Sequence, residues 1–302
     1  MPRPESKDAP VTPPNSEATV SRRNVALRKT LEELYAALNH RREIHPDPLE
    51  VVYHYENNRD REVVGLIASA LAYGRVAHIL QNLARVLDIL GPQPHRALLD
   101  TSPAVLRTQL AGFQHRWTTA QEVVEFLLGI RDALRRHGSL EACFLRHHDP
   151  DAETTSPTLS GFVAELGDTR SSLLSAPEKG SACKRHHLYL RWMIRRDDVD
   201  PGCWPNLDPA QLIVPMDTHM HRVARALGMT KRKQANLATA MDTTRAFRAL
   251  CPGDPVRYDF ALTRLGIRAE MDLDTFLEAC QEKSAAIASS VRPKLQRHAE
   301  PS

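Results

Sequence analysis

Apolar residues recur every three to four positions along most of the chain, which is the spacing of one face of an α-helix. The run of Leu27, Leu31, Leu34 and Leu38 shows this pattern. No segment has a convincing strand pattern, so the predicted fold class is all-α. Helices are predicted over residues 24–40, 60–74, 77–90, 102–113, 118–138, 158–174, 183–196, 217–229, 233–250 and 254–267.

Proline, serine and threonine dominate the first residues, MPRPESKDAPVTPPNSEATVSRR, where aliphatic side chains are scarce. Because such a segment cannot bury enough apolar surface to fold, residues 1–24 are predicted to form a disordered tail. One helical domain is predicted over residues 25–290, followed by a short tail over 291–302. The helix over 183–196 is apolar around most of its circumference, which is typical of a buried central helix.

The composition is that of an ordinary soluble globular protein, with 42% hydrophobic and 25% charged residues in 302. Only 13 glycines are present, which favours helices over a turn-rich β architecture. No stretch approaches the roughly 20 apolar residues that span a bilayer, and the N-terminus lacks the apolar core of a secretory signal. We therefore expect a cytoplasmic protein without a membrane partner (nucleoid-associated if it is bacterial).

The cysteines are widely spaced and include no C-x-x-C pair; they are Cys143, Cys183, Cys203, Cys251 and Cys280. An odd number of isolated cysteines in a chain without an export signal indicates reduced thiols. Zinc or iron–sulfur sites built on clustered thiolates are therefore not expected. The sequence also lacks glycine-rich nucleotide-binding patterns, and no cofactor is predicted.

Positive charge is concentrated between Lys184 and Arg248, a segment with twelve basic and six acidic residues. This segment has an excess of six positive charges, although the whole chain has a net charge of only +3. Such asymmetry indicates a polyanion as partner, while basic surface helices without any ligand are also common.

The segment VPMDTHMHRVARALGM, residues 214–229, allows three interpretations. In the first, Asp217 is only the N-cap of a helix whose apolar stripe begins at Met220, and aspartate is a preferred capping residue. In the second, Asp217, His219 and His221 bind a metal ion. On a helix, however, the two histidines point to different faces, whereas helical ligand pairs are usually four residues apart.

In the third interpretation, Asp217 is a catalytic carboxylate. The positive end of the helix dipole would keep it ionised, so it would suit stabilising a positive centre or relaying a proton rather than acting as a strong base. Its candidate partner is Lys184, at the start of the apolar helix. The helix N-terminus and desolvation both disfavour an ammonium ion there, as an amine nucleophile requires. Lysines at such turns are more often simply exposed to solvent.

The order of these features resembles that of the helix-hairpin-helix DNA glycosylases. A helix and a tight turn over 175–182 precede Lys184 in GSACKRHHLYLRWMI, and VPMDTHMHRVARALGM follows. In that superfamily a Val-Pro-x-Asp-x-His segment starts the helix of the catalytic aspartate. Its bifunctional members have a Schiff-base lysine at the start of the second hairpin helix. IASALAYGRVAHI (67–79) is similar to the helix start beside the flipped base, and FQHRW (113–117) to a Gly-Tyr-Arg helix cap.

The resemblance covers roughly residues 60–268 and departs from the superfamily in two places. The hairpin lacks the usual Leu-Pro-Gly-Val-Gly sequence, and Asp217 follows Lys184 by 33 residues, more than in compact members. The archaeal 8-oxoguanine glycosylase branch is similar in both respects, and the chain also resembles a bacterial group of uncharacterised relatives of those enzymes. The missing cluster cysteines separate it from the endonuclease III branch.

The resemblance implies a two-lobed all-α glycosylase fold with an atypical hairpin, a cleft between the lobes and no metal. It implies a monomer that excises a damaged base, 8-oxoguanine being one candidate, from duplex DNA and then acts as a β-lyase. Lys184 would be the nucleophile and Asp217 the assisting carboxylate. The implied base contacts are Ser69, Tyr73, Arg75, Trp192, Trp204 and His219. The implied phosphate contacts are Arg185, Arg222, Arg225, Lys231, Arg232 and Lys233.

Two alternatives stay open at this point. One is a non-catalytic nucleic-acid-binding helical protein that keeps the same fold. The other, which the residue spacing disfavours, is a metal-dependent hydrolase that uses Asp217, His219 and His221. Metal analysis and an assay on lesion-bearing duplexes separate the three functions.

Overall fold

The computed structural model describes residues 17–168, 171–265 and 272–290, and these residues are mostly helical. Their only sheet is an antiparallel hairpin of two strands, β1 (Gln114–His115) and β2 (Thr118–Thr119). The predicted all-α class is confirmed. The α-helices in this part of the chain are α1 (Glu17–Leu38), α2 (Asn58–Ala70), α3 (Val76–Leu90), α4 (Pro94–Asp100), α5 (Pro103–Gln109), α6 (Ala120–His137), α7 (Leu140–Leu145), α8 (Ser156–Leu166), α9 (Lys184–Ile194), α10 (Thr218–Ala226), α11 (Leu237–Arg248), α12 (Asp259–Arg264) and α13 (Leu273–Ser290).

Several helices begin where the sequence predicts them. Thr119, one of the two predicted caps of α6, accepts a hydrogen bond from the Glu122 amide, and the Glu122 carboxylate accepts one from the Thr119 amide. α9 begins at Lys184, and α10 follows its N-cap Asp217, both as predicted. The two candidate catalytic residues therefore each lie at the N-terminus of a helix.

Three helices and the hairpin do not emerge from the sequence pattern. The helices α4 and α7 have seven and six residues and each strand has two, and so few residues show no clear repeat of apolar positions. Helix α13 is longer, but its apolar and polar residues are only weakly separated onto opposite faces. The helix predicted over 158–174 ends at Leu166, because Gly167 adopts a φ of 138°. α1 begins inside the predicted tail. The remaining tail positions, 1–16 and 291–302, and residues 266–267 of the last predicted helix lie outside the described residues.

The core forms around α9, the predicted central helix. Its residues Tyr189, Leu190, Trp192 and Met193 are fully buried. α2 approaches α9 so closely at Gly65 that a Cβ there would lie 2.9 Å from the Met193 side chain. Burying one large apolar side chain contributes about 1.5–3 kcal/mol, so several of them fix α9 firmly within the protein. The position of Lys184, the first residue of α9, is fixed with it.

Arg191 of α9 and Arg195, the C-cap of that helix, form a buried ion-pair network rather than the surface charge that the sequence suggested. Arg191 and Arg195 are each 3% exposed. Arg191 Nη2 lies 3.2 Å from an oxygen of Asp200, and Arg195 Nε lies 2.9 Å from an oxygen of Asp254. The carboxylates paired with the two arginines are Asp197, Asp200, Asp254 and Asp259. Part of the positive excess between residues 184 and 248 is therefore neutralised inside the protein.

Two adjacent histidines of α9 are also buried. His186 and His187 are 1% and 0% exposed, and neither ring nitrogen of His187 has a hydrogen-bond partner among the described residues. Burial lowers the pKa of His186 to about 3 and that of His187 to about 4. Both rings are therefore neutral in the folded protein at pH 5, where the same rings in the unfolded chain take up protons. The free energy of unfolding must fall as the pH drops below about 6.5.

We expect His187→Leu to reduce this sensitivity to acid. Between pH 6.5 and 5, each buried neutral histidine lowers the free energy of unfolding by about 1.5 kcal/mol, because the unfolded chain binds one more proton. Leucine has no proton to bind, so the loss over this interval should be about 1.5 kcal/mol smaller in the variant. Urea unfolding at the two pH values measures the difference. His78→Leu, a change at an exposed position of α3, is the control, and equal losses in all three proteins would contradict the argument.

Candidate active site

Lys184 and Asp217 meet in one cleft. Lys184 is the first residue of α9 and Asp217 the N-cap of α10, and Lys184 Nζ lies 3.6 Å from Asp217 Oδ2. Both side chains are about one-third exposed, so the pair is open to a ligand from solvent. The sequence predicted that these two residues act together, and the structure brings them together across 33 residues of chain.

The local conformation explains why Lys184 points into this cleft. The connection from α8 ends in a short 3-10 turn, Pro177–Lys179, and Gly180 then adopts a left-handed φ of 75°. Cys183, the residue before Lys184, has a φ of 43°, a region that non-glycine residues seldom adopt. The Cys183 amide donates to Ser181 Oγ at 3.2 Å. The chain therefore turns sharply just before α9, and Lys184 follows that turn directly.

Asp217 uses its two carboxylate oxygens for different purposes. Oδ1 accepts a hydrogen bond from the Met220 amide at 2.9 Å, which caps α10, while Oδ2 faces Lys184. The segment before it is held by a hydrogen bond from the Val214 amide to the hydroxyl of Thr244 on α11. The capping interpretation of Asp217 is confirmed. It does not compete with a catalytic role, because one oxygen remains directed into the cleft.

The cleft has a volume of about 320 Å³, which is the lower end of the range for small-molecule sites. Its walls come from elements that are distant in sequence, including α3, α9, α12 and the start of the 3-10 turn Pro48–His54. The apolar part of the lining consists of Pro46, Pro48, Ala72, Gly74, Val76, Ile79, Leu188, Pro215 and Phe260. The polar part consists of Asp47, Lys184, Arg191, Asp217, Asp259 and Thr263.

A second ion pair lines the cleft beside the first. Arg191, about two turns after Lys184 on α9, pairs with Asp259 at the start of α12, and both residues are buried. Burial raises the pKa of Asp259, the Arg191 guanidinium opposes that rise, and the negative charge of Asp217 adds to it. The cleft thus combines two cations with three carboxylates, since Asp47 also lines it. Asp259 could not be recognised from the sequence, because nothing in DPVRYDFALTR distinguishes it from a surface acid.

Asp47 also lines the cleft and could not be recognised as a site residue from the sequence. Asp47 caps the 3-10 turn that follows it, accepting from the Leu49 amide at 2.9 Å, and pairs with the buried Arg264 of α12. Aspartate followed by proline signals a cap, which the sequence does contain, but the partner 217 positions away could not be predicted from it. Asp47 therefore joins the start of the 3-10 turn Pro48–His54 to α12 at the edge of the cleft.

The histidines of the proposed metal cluster are engaged elsewhere. His219 Nε2 donates to the Leu262 carbonyl of α12 at 3.0 Å, and His221 Nε2 to the Arg232 carbonyl at 2.9 Å. Within residues 17–168, 171–265 and 272–290, no group of three His, Cys, Asp or Glu side chains has a geometry that could hold a metal ion. His219 also does not line the cleft. The arrangement gives no support to a metal-dependent hydrolase that uses Asp217 with these histidines.

The predicted base contacts divide into core and rim residues. Ser69, Trp192 and Trp204 are at most 1% exposed and lie in the core, so their assignment as base contacts is corrected. Large apolar residues on helices are ambiguous in sequence, because a core position and a pocket position have the same period. Tyr73 and Arg75 lie at the rim instead, on either side of Gly74, a residue of the cleft wall.

The predicted phosphate contacts also divide into two groups. Arg185 is turned inward, where its guanidinium donates to the carbonyls of Ala70 and Ser172, so it is corrected to a structural residue. Arg222 and Arg232 are exposed but pair with Asp274 and Asp242. The predicted contacts that are exposed and lack a carboxylate partner in the described part of the chain are Arg225, Lys231 and Lys233. Of the six, these three offer unneutralised positive charge to a polyanion.

Comparison with known proteins identifies the family of the chain but does not indicate its activity. None of the described helices is both long and apolar enough to cross a membrane. No curated protein and no solved structure matches the chain. Residues 47–268, which include Asp47, Lys184, Asp217 and Asp259, match a protein family described as "Protein of unknown function (DUF2400)". The match covers most of the chain and every polar residue of the cleft, and the chain therefore belongs to the DUF2400 family.

Proposed function

We propose that the protein is a DNA glycosylase with β-lyase activity that acts on a damaged base in duplex DNA. The observation that supports this most is the lysine–aspartate pair, 3.6 Å apart, at the N-termini of two helices that open onto one cleft. An amine beside a fixed carboxylate can form a Schiff base with a sugar, and the carboxylate can stabilise the positive charge that develops. The resemblance of GSACKRHHLYLRWMI and VPMDTHMHRVARALGM to glycosylase segments supports the same chemistry.

The proposed fold is a variant of the helix-hairpin-helix arrangement. α8 and α9 would be the two hairpin helices, with the 3-10 turn Pro177–Lys179 and Gly180 in their connection. This connection is longer than a tight hairpin, since α8 ends at Leu166. In the proposed arrangement the cleft lies between two helical lobes, and the active form is a monomer.

The first step would join Lys184 to the sugar. The ammonium gives one proton to Asp217, and the resulting amine forms a bond to C1′ while the bond from C1′ to the base breaks. The electron pair of that bond leaves with the base, which takes a second proton from the lysine nitrogen. The bond between C1′ and the ring oxygen then opens, Asp217 returns its proton to that oxygen, and a protonated Schiff base remains.

The β-lyase step would follow from the Schiff base. The Asp217 carboxylate, which has returned its proton, accepts a proton from C2′, and the electrons of that C–H bond move to the iminium nitrogen to give an enamine. The enamine electrons then form the C2′–C3′ double bond as the C3′–O bond breaks, so the phosphate leaves as an anion and a conjugated Schiff base remains. Asp217 is suited to stabilising the positive charge that develops on the sugar in the first step, because its hydrogen bond to the Met220 amide of α10 keeps it from rotating away from Lys184. A carboxylate that is already oriented stabilises a cationic sugar without further reorganisation.

The cleft would receive the extruded base. Extrusion costs a few kcal/mol, which contacts within a pocket offset. Apolar faces at Ile79, Leu188 and Phe260 suit the flat surfaces of a base, and Thr263 and Asp47 suit its polar edge. Arg225, Lys231 and Lys233 would contact phosphates, which position the duplex without selecting a sequence.

Borohydride trapping tests the proposed function. The protein is incubated with a panel of duplexes, each with one oxidised, deaminated or alkylated base, and the Schiff base is reduced to a stable amine. We expect a covalent protein–DNA adduct with at least one lesion and none with the undamaged duplex. The adduct should be equally abundant in EDTA, which distinguishes it from metal-dependent chemistry.

Other results of this assay would contradict the proposal in defined ways. Release of a base without a covalent adduct would show base excision without a Schiff base, and would exclude the proposed β-lyase activity. Tight binding to duplexes with neither adduct nor released base would favour the non-catalytic nucleic-acid-binding protein of the same fold. Loss of all products in EDTA would favour a metal-dependent hydrolase.

A further inference from the structure

The hairpin β1–β2 presents a tryptophan to solvent beside the cleft. The strands pair Gln114 with Thr119 and His115 with Thr118, which leaves Arg116 and Trp117 as the two residues of the turn. Trp117 is 58% exposed, whereas Trp192 and Trp204 are 0% and 1% exposed. An exposed indole at the tip of a turn contributes little to the core, so its position calls for another explanation.

The exposed indole is held in a fixed orientation. Its ring stacks on the Tyr73 ring with centroids 4.8 Å apart and an interplanar angle of 19°. The Arg116 guanidinium lies 4.8 Å from the Trp117 centroid, close enough for a cation–π interaction. The Tyr73 hydroxyl donates to the His115 carbonyl and accepts from the Thr118 hydroxyl, and the His115 ring contacts Tyr73 edge-on. A side chain ordered in this way loses little conformational freedom when it binds a flat ligand.

The turn is also joined directly to the wall of the cleft. Arg116 adopts a φ of 53°, a strained region for a residue with a long side chain. Its Cδ would lie 3.1 Å from a Cβ at Gly74, a lining residue whose own φ of 103° also favours glycine. Ala72 and Val76 line the same wall. The hairpin thus holds Trp117 next to the segment that borders the cleft of Lys184.

The charge around Trp117 favours an anion with flat faces. Arg116 and the nearby Arg75 are exposed and have no carboxylate partner in the part of the chain that the structure describes. An aromatic ring combined with unpaired arginines is the usual means of binding a nucleic-acid strand, since each base stacks and each phosphate pairs. A protein partner with an acidic, aromatic surface would fit less well beside a cleft that is open to solvent.

We propose that Trp117 stacks on a nucleobase of the DNA next to the nucleotide that enters the cleft, with Arg75 and Arg116 contacting the adjoining phosphates. This inference rests on the proposed function, and it identifies a positioning residue rather than a catalytic one. When a nucleotide leaves the duplex, the face of the neighbouring base is exposed, and the indole can stack on it. Trp117 therefore favours DNA that has a gap in its stack over fully stacked DNA.

The test compares the full-length wild type with Trp117→Ala and Trp117→Phe. The probe is a short labelled duplex with one tetrahydrofuran abasic analogue, and the same duplex without it is the control. Stacking on one base contributes enough that Trp117→Ala should weaken binding to the abasic duplex about tenfold or more. Trp117→Phe keeps an aromatic face and should restore most of the affinity. Binding to the fully paired duplex should change much less.

Two further measurements exclude simpler explanations. The melting temperatures of the three proteins should agree closely, because more than half of the indole surface is exposed in the folded protein. Tryptophan fluorescence should be quenched by the abasic duplex in the wild type, and this quenching should be lost in Trp117→Ala. Equal affinities of wild type and Trp117→Ala for the abasic duplex would overturn the inference. Self-association without DNA that Trp117→Ala abolishes would also overturn it, by identifying a second copy of the chain as the occupant.

The outcomes separate this inference from the proposed function. If borohydride traps a lesion duplex but Trp117→Ala binds the abasic duplex normally, the glycosylase proposal stands and the stacking role is wrong. If Trp117 contributes to binding but no lesion gives an adduct or a released base, the stacking role stands and the glycosylase proposal is wrong. If the protein binds neither duplex, both are wrong.

Discussion

Replacing Lys184 with glutamine should abolish the covalent adduct with any duplex that the wild type traps. A Schiff base requires a primary amine, and the glutamine amide nitrogen does not attack a sugar carbon. Glutamine is close to lysine in length and suits a helix, so α9 should begin as before. The pair with Asp217 is partly exposed, and its loss should change stability by about a kcal/mol or less. Adduct yield after borohydride reduction is the measurement.

The matched control for this variant is Lys179→Gln, five residues earlier in the same connection. Lys179 is exposed at the end of the 3-10 turn and does not line the cleft. Its replacement should leave the adduct yield unchanged. An adduct of wild-type abundance in Lys184→Gln would exclude Lys184 as the nucleophile. Mapping the trapped lysine by mass spectrometry would then identify the residue that reacts.

Asp217→Asn should leave the protein folded and reduce base excision by about a hundredfold or more. Asparagine caps helices about as well as aspartate, so its oxygen can still accept from the Met220 amide. What it lacks is the negative charge that, in the proposed mechanism, stabilises the cationic sugar and receives the proton. Losing preorganised charge of this kind raises a barrier by several kcal/mol, while the free energy of unfolding should change by about a kcal/mol or less. Single-turnover excision rates and melting temperatures of one preparation measure both.

A second aspartate cap provides the control for Asp217→Asn. Asp208 accepts from the Ala210 amide at 2.9 Å at the start of a short 3-10 turn, and it does not line the cleft. Asp208→Asn should be silent in both rate and melting temperature. Asp217→Ala should lower the melting temperature as well as the rate, because alanine removes the cap and the charge together. An unchanged excision rate in Asp217→Asn would leave Asp217 with its capping role alone.

The parts of the site that the sequence predicts are those specified by local signals. The sharp turn, the start of an apolar helix and the cap of an amphipathic helix all lie within a few residues of Lys184 or Asp217. These signals are sufficient to place both residues at helix N-termini, because capping and helical periodicity depend on neighbouring residues alone. The resemblance to glycosylase segments suggested that the two residues act together, and the 3.6 Å separation confirms that they are neighbours.

The parts that the sequence does not predict depend on contacts between distant elements. The ion pair of Arg191 with Asp259 cannot be predicted, because the two residues are 68 positions apart in the sequence. Trp192 and Trp204 fit a core position or a pocket position equally well. The hairpin that presents Trp117 has strands of two residues, which no period can detect. The roles of these residues depend on burial and on contacts with distant parts of the chain, and neighbouring residues in the sequence give no sign of either.

The division of the cleft among elements has a consequence for divergence within the family. Lys184 and Asp217 are anchored by α9 and α10, whereas the surfaces that would select a base come from α3, α12 and the segment around Asp47. Thr263, which is only partly buried, can therefore change without removing the cap of α10, whereas Phe260 is buried beside Arg191 and is more constrained. Under the proposed function, relatives of this chain can share one reaction and differ in the damaged base that they accept.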